Sequence, residues 1–293
     1  MEQEKKKRTP ANRWEDCLHW AEEKDIDFNE RCKERGLELT QFSLHKIAAL
    51  PVYDARSKTE LFSKLTVPLS SVARLIGRTT YLEEELAQWG ENSAEWLAAC
   101  GINWTTVLLV ADGFDKDGPA WGMIEGAKTL KALTVVMSER PWEDVVAYGA
   151  NACALTVELL EKWIASGRSA GPCRMLFCLS NDLSDRRRKE WQEKLGAPIY
   201  RQLGLAGVQS SAIAWESLCQ TGYHFNLDCF WPEIIDLSTE TVIPAHQEGD
   251  LILTAMDRRS TTAIRLVTGW KGAFKKRQSS CEIKWPQFML SEI

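Results

Sequence analysis

Nine cysteines and four histidines are the side chains of this chain best suited to hold a metal or to act as nucleophile and base. The cysteines (17, 32, 100, 153, 173, 178, 219, 229 and 281) are odd in number, widely scattered and without framework spacing. That distribution predicts reduced thiols in a cytoplasm, most of them packed as small hydrophobes. His19, His45 and His246 have no partner readable from the sequence. There is no Gly-x-Ser-x-Gly elbow, no His-Glu-x-x-His and no Walker loop, so nothing points to serine-hydrolase, zincin or P-loop chemistry.

Any chemistry must therefore be assembled by the fold. Residues 11–36 read as a helix, with Trp14, Cys17, Leu18 and Ala21 at three- and four-residue steps and Gly36 as its C-cap. A second helical stretch, 39–50, stops at Pro51, and a third covers 81–100. The apolar run Thr106–Ala111, bounded by Asp112-Gly113, predicts a buried strand. Helix 120–130, strand 132–137, helix 152–166, strand 174–179, helix 184–195 and strand 198–202 follow, with Ser184 an N-cap. This alternation implies βαβ units and an α/β domain with a mainly parallel sheet flanked by helices. From Ile234 the texture changes to short strands and turns. Segments 251–254 and 263–268, either side of Asp257-Arg258-Arg259, predict an antiparallel pair.

The 293 residues suffice for one large domain, and no repeat or Pro/Gly/Ser-rich linker divides them. With 44% hydrophobic and 26% charged residues and a net charge of −5, the chain has no footprint for nucleic acid or anionic lipid. Its one basic run, Lys5-Lys6-Lys7-Arg8, reads as a solvated tail. No apolar run approaches the roughly 20 residues that cross a bilayer, and no signal-peptide h-region follows the charged start.

Several segments, taken in order, carry a family likeness. They are Arg35-Gly36-Leu37 through Leu50-Pro51, Ser57–Leu61, the block 81–137, Gly222-Tyr223-His224 with Asp228 and Pro232-Glu233-Ile234-Ile235-Asp236, and Glu248–Thr254. Collinear over about 14–270, they resemble the large N-terminal domain of the phenylacetate–coenzyme A ligase branch of the adenylate-forming enzymes. The resemblance implies one domain over 1–270, with a helical arm over 1–64. It also implies a tail over 271–293 and no room for the mobile domain that brings a catalytic lysine.

Members of that family join a carboxylate to AMP, so their site holds phosphates, Mg²⁺ and a ribose. Of the phosphate loop, only Gly77, Thr79 and Thr80 are retained, and a tight strand–helix turn accounts for them. The adenine-contacting Gly-Gly-Glu is represented by Leu179-Ser180-Asn181. The Tyr-Gly-Leu-Ser-Glu string falls on Leu203-Gly204-Leu205-Ala206-Gly207, which puts Gly207 where a metal-binding carboxylate belongs. The Arg-Tyr-Arg-Thr-Arg-Asp string falls on Arg265–Trp270, retaining Arg265 and replacing the ribose-binding carboxylate with the Trp270 indole. Asp228 or a bound carboxylate is then the expected partner of Arg265, and Trp270 is expected to fill the vacated space. The resemblance further implies a structural zinc at Cys219, His224 and Cys281, with Cys229 as a substitute fourth ligand. The second member of the family's Cys-x-Cys pair is missing, and buried thiols with a hydrogen-bonded histidine explain the same residues.

Together these features lead to an expectation of a ligase-like protein with an eroded nucleotide site. It takes no ATP, Mg²⁺ or other cofactor and binds a small aromatic or acyl carboxylate, a protein partner or a second copy. The competing expectation is an active acyl-CoA ligase subunit completed by a separate chain.

Overall fold

The computed structural model describes residues 9–38, 43–53, 66–76, 79–111, 118–137, 140–275, 283 and 285–291. The apolar runs become five parallel strands: β3 (Val107–Ala111), β4 (Leu133–Met137), β5 (Ala152–Leu155), β6 (Met175–Cys178) and β7 (Ile199–Leu205). Ahead of them, β1 (Arg74–Ile76) and β2 (Thr79–Tyr81) form a separate hairpin. The central strands β3, β5 and β6 are apolar because both of their faces are covered, whereas β4 is an edge strand with Leu133 and Val136 exposed. Leu108 and Val110 of β3 pack under α3 (Glu83–Ala99) and α4 (Pro119–Thr129). The alternate residues Leu109 and Ala111 face α5 (Pro141–Ala147), α6 (Val157–Ala165) and α7 (Asp185–Leu195).

From β7 onward the same sheet continues with antiparallel pairs through β8 (Gln209–Glu216) and β9 (Tyr223–Phe225). Beyond them lie β10 (Phe230–Asp236), β11 (Thr241–Val242), β12 (Gly249–Ala255), β13 (Ala263–Phe274) and β14 (Gln287–Leu290). The 12 strands run β11-β10-β12-β13-β14-β9-β8-β7-β6-β5-β3-β4. The α/β class and the 251–254 with 263–268 pairing stand as expected.

Four details differ from the sequence reading. The N-terminal helix breaks into α1 (Pro10–Lys24) and α2 (Ile26–Glu34), because Asp25 caps the second helix by accepting from Phe28 N at 3.0 Å. Gly36, at φ +65°, closes α2 as foreseen. Residues 152–155 are strand rather than helix: Ala-Cys-Ala-Leu is buried on both sides, and so short a run carries no period that separates the two. Of the 39–50 helix, Leu44–Ala49 is a 3₁₀ turn and 39–42 lie outside the described residues. The antiparallel section begins at β8 rather than at 234.

The segment after 270 is no tail. β14 inserts between β13 and β9, and Phe288 is fully buried against Phe225 and Phe274. Its Gln-Phe-Met-Leu run is short enough to pass for loop in the sequence.

Candidate functional site

The parallel and antiparallel halves join at β7 and β8, and the segments expected to hold a nucleotide converge there. Gly204 sits at an irregularity in the β7–β8 pairing, where an added Cβ would come 1.9 Å from the Ser210 carbonyl oxygen. Its backbone is fixed on the other side by Asn181, whose Oδ1 accepts from Gly204 N at 3.0 Å and whose Nδ2 donates to Gly204 O at 2.6 Å. Leu205 is half-buried, and the turn ends at Gly207 with φ +87°. The Gly207 amide donates to Thr79 Oγ1 at 2.8 Å, so that hydroxyl of β2 is engaged by the β7–β8 turn. Gly77 lies outside the described residues.

Beneath this junction is a buried polar clamp absent from the sequence reading. Glu85, in the first turn of α3, accepts from Leu82 N at 2.8 Å, from Arg258 Nη1 at 2.9 Å and from Ser260 Oγ at 2.7 Å. Its other oxygen takes the amides of Arg259 and Ser260 at 2.6 and 2.9 Å. Arg258 also donates to Thr80 O at 2.8 Å and lies 4.7 Å from the Tyr81 ring centroid, and Tyr81 stacks on Trp89 at 5.2 Å. The carboxylate thus ties α3 to the β12–β13 loop, and Arg258 and Ser260, which both donate to Thr80 O, carry the link on to β2. An acid in the first turn of a helix is legible as a cap, but no spacing links it to an arginine 173 residues away.

A cavity of ≈ 20 Å³ lies between this clamp and β8, lined by Tyr81, Glu85, Asn92, Gln209, Asp257 and Arg258 among others. About 10–15 Å³ on this measure holds one water, so the space suits one or two waters. Asn92 Nδ2 donates to Gln209 Oε1 at 3.3 Å, and Asn226 Nδ2 donates to Asn92 Oδ1 at 2.8 Å. Arg13 of α1 closes the far side with a bond to Gln88 Oε1 at 3.1 Å and an ion pair to Asp257.

The other anticipated residues do not gather at this junction. Arg265 is fully buried at φ +50° and pairs with Glu233 at 3.2 Å, not with Asp228. Its Nη1 donates to Ala48 O at 2.9 Å and also to Leu50 O, which fastens the 3₁₀ turn to β13. Burial holds the Glu233 carboxyl above the ordinary carboxylate range although Arg265 opposes the shift. Asp228 is half-buried and follows Asn226, whose Oδ1 accepts from its amide at 3.1 Å. Trp270 is half-buried against the hydrophobic cluster of the antiparallel half, to which Leu203, Val208 and Phe288 belong.

His224 is buried and neutral. Its Nδ1–H donates to Trp285 O at 3.2 Å, its Nε2 accepts from Gln287 at 3.2 Å, and burial lowers its pKa. Cys219 is half-buried, with its amide donating to Ser217 Oγ at 3.4 Å. Cys281 lies outside the described residues, and among those described no three His, Cys, Asp or Glu side chains are placed to share a metal. Burial raises the Cys17, Cys173 and Cys178 thiols to about 12, which makes them packing groups rather than nucleophiles.

No sequence profile of a known family matches the chain. The fold is that of the adenylate-forming enzymes. A 2-hydroxyisobutyryl-CoA ligase, solved in complex with 2-HIB-AMP and CoA, superposes with TM-score 0.84 at 19% identity, covering 95% of this chain and 67% of the ligase. ATP-bound MatB from Rhodopseudomonas palustris gives TM-score 0.53 at 13% identity, over 72% of this chain and 44% of MatB. In sequence, the chain is 25% identical over 228 residues to the phenylacetate-coenzyme A ligase of Escherichia coli (strain K12), covering 71% of this chain. The chain is thus similar in sequence to that ligase, of whose length it spans 52%.

Proposed function

We propose that this chain is a phenylacetate–CoA ligase-like protein that has given up carboxylate activation and serves as a non-catalytic ligand-binding or partner-docking protein. The observation that carries the reading is the closed junction. Where the family likeness places a metal-binding carboxylate stands Gly207, with its amide donating to the Thr79 hydroxyl. A glycine offers no oxygen ligand to Mg²⁺, a cation that prefers carboxylates. The adjoining cavity of ≈ 20 Å³ accommodates water rather than a ribose or a triphosphate. Trp270 supplies no acceptor for ribose hydroxyls, and Arg265 is already engaged by Glu233. These residues do not fit Mg·ATP, so no adenylation step is assigned to them.

The test is calorimetric titration with Mg·ATP, followed by pyrophosphate exchange in the presence of aromatic and aliphatic acids. The expected results are no saturable ATP binding and no acid-dependent exchange. Micromolar ATP affinity, or exchange restored by adding a separate chain, would favour an active acyl-CoA ligase subunit instead.

A further inference from the structure

At the end of the sheet opposite the junction, the connections leading into β3, β4, β5, β6 and β7 and out of β8 form one continuous rim. Hydrogen bonds link them in sequence: Leu133 N to Thr106 O at 3.0 Å, Asn151 N to Val107 O at 3.1 Å and Arg174 N to Asn151 O at 2.8 Å. Leu176 N to Pro198 O at 2.9 Å and Gln220 Nε2 to Ile199 O at 2.8 Å complete the line. Six neighbouring strands at about 4.8 Å spacing make a rim on the order of 24 Å long.

Large apolar groups stand exposed along this rim. Trp104 is 75% exposed, Leu133 62%, Leu218 59% and Tyr148 50%. Trp104 stands on a rigid turn. Asn103 Oδ1 accepts from Thr105 N at 2.9 Å and from Thr105 Oγ1 at 2.7 Å, and Thr106 Oγ1 accepts from Asn103 N at 3.1 Å. A rigid aromatic anchor loses little freedom on binding, and tryptophans of this kind dominate interface energetics.

The charges select the occupant. Within 101–106, 130–133, 148–151, 166–174, 196–198 and 217–222, the charged residues are Lys131, Arg168 and Arg174, all cationic, on a chain of net charge −5. Arg168 leans toward Glu143 at 3.6 Å, whereas Lys131 and Arg174 make no ion pair among the described residues. A second copy would set these cations against themselves. Three cations beside four apolar side chains are too few and too apolar a set for a phosphate backbone, which is bound mainly by counterion release. We propose that this rim docks an acidic protein segment carrying apolar side chains, with Trp104 as the central anchor. The proposal does not depend on whether the distant junction binds ATP.

The experiment places a photo-crosslinking phenylalanine analogue at position 104 or 218 of the full chain in its host cells, with position 75 at the other end as control. Crosslinked peptides are sequenced, and the captured segment is synthesised and titrated. The expected result is one net-acidic segment captured from both rim positions and not from the control. Trp104→Ala and, separately, Lys131→Glu with Arg174→Glu should each weaken the peptide about tenfold or more while leaving the melting temperature unchanged. Higher salt should weaken it several-fold. Capture of nothing, of a second copy of the chain, of nucleic acid, or of a segment indifferent to the charge reversal would overturn the proposal.

Discussion

A buried ion pair between Arg265 and Glu233 costs more to break than to omit. Taking Arg265 to Met leaves Glu233 in the core without its cation and releases the Ala48 and Leu50 carbonyls. A loss of about 3–5 kcal/mol is expected in urea unfolding. Adding Glu233→Gln should recover part of it, because the uncompensated charge is then gone. Reinstating family residues should behave differently. Gly207→Glu combined with Trp270→Asp is expected to leave ATP unbound by calorimetry, since Trp270 lies in the Leu203 and Phe288 cluster and Arg265 remains engaged. Saturable ATP binding by that double variant would overturn the expectation that the junction itself does not admit the nucleotide.

Among the elements, α7 gives a measurable pH dependence. Burial alone would raise the Asp185 pKa, but hydrogen bonds from Lys189 and Arg188 and the charges of Arg188 and Arg201 outweigh it and bring it to about 2. A folded pKa below the unfolded value of 3.8 means that this contribution is complete above pH 4 and disappears between about pH 4 and 2. Asp185→Asn should therefore cost about 1 kcal/mol at neutral pH, allowing for solvent screening, and nothing near pH 2. The preceding Ser184 accepts from Arg187 N at 3.3 Å, so Ser184→Ala should cost about 1 kcal/mol at either pH. Unfolding curves at two pH values separate the charge effect from the cap.

For the molecule as a whole, the 12-stranded sheet depends on a short strand near the end of this sequence. β14 is the only hydrogen-bonded bridge between β13 and β9 among the described strands, and its Phe288 is fully buried. Phe288→Ala should cost about 3–5 kcal/mol. It should also loosen the antiparallel half first, seen as faster amide exchange in β9 and β13 than in β3 and β5. Equal loss of protection in both halves would mean that the sheet unfolds as one unit. The sheet also separates two surfaces: the closed junction lies at the β7–β8 turn, and the Trp104 rim at the opposite end.

By itself the sequence determined the class of fold and much of its order. The run Val107–Ala111 is apolar because helices cover both faces, and that demand is written locally, residue by residue. Ser184 and Gly36 were legible for the same reason, since a cap is a contact within one turn. The strand at Ala152–Leu155 and the strand at Gln287–Leu290 were not, because runs this short show no period and are strands only through their neighbours. Gly207 and Trp270 could be read as residue types, but not what surrounds them. That Thr79 closes on Gly207, that Glu85 binds Arg258 and that Arg265 turns to Glu233 rather than Asp228 all join residues from distant parts of the chain. Such pairings are decided by the desolvation of polar groups as the layers meet, and only the tertiary structure fixes which donor lies within reach of which acceptor.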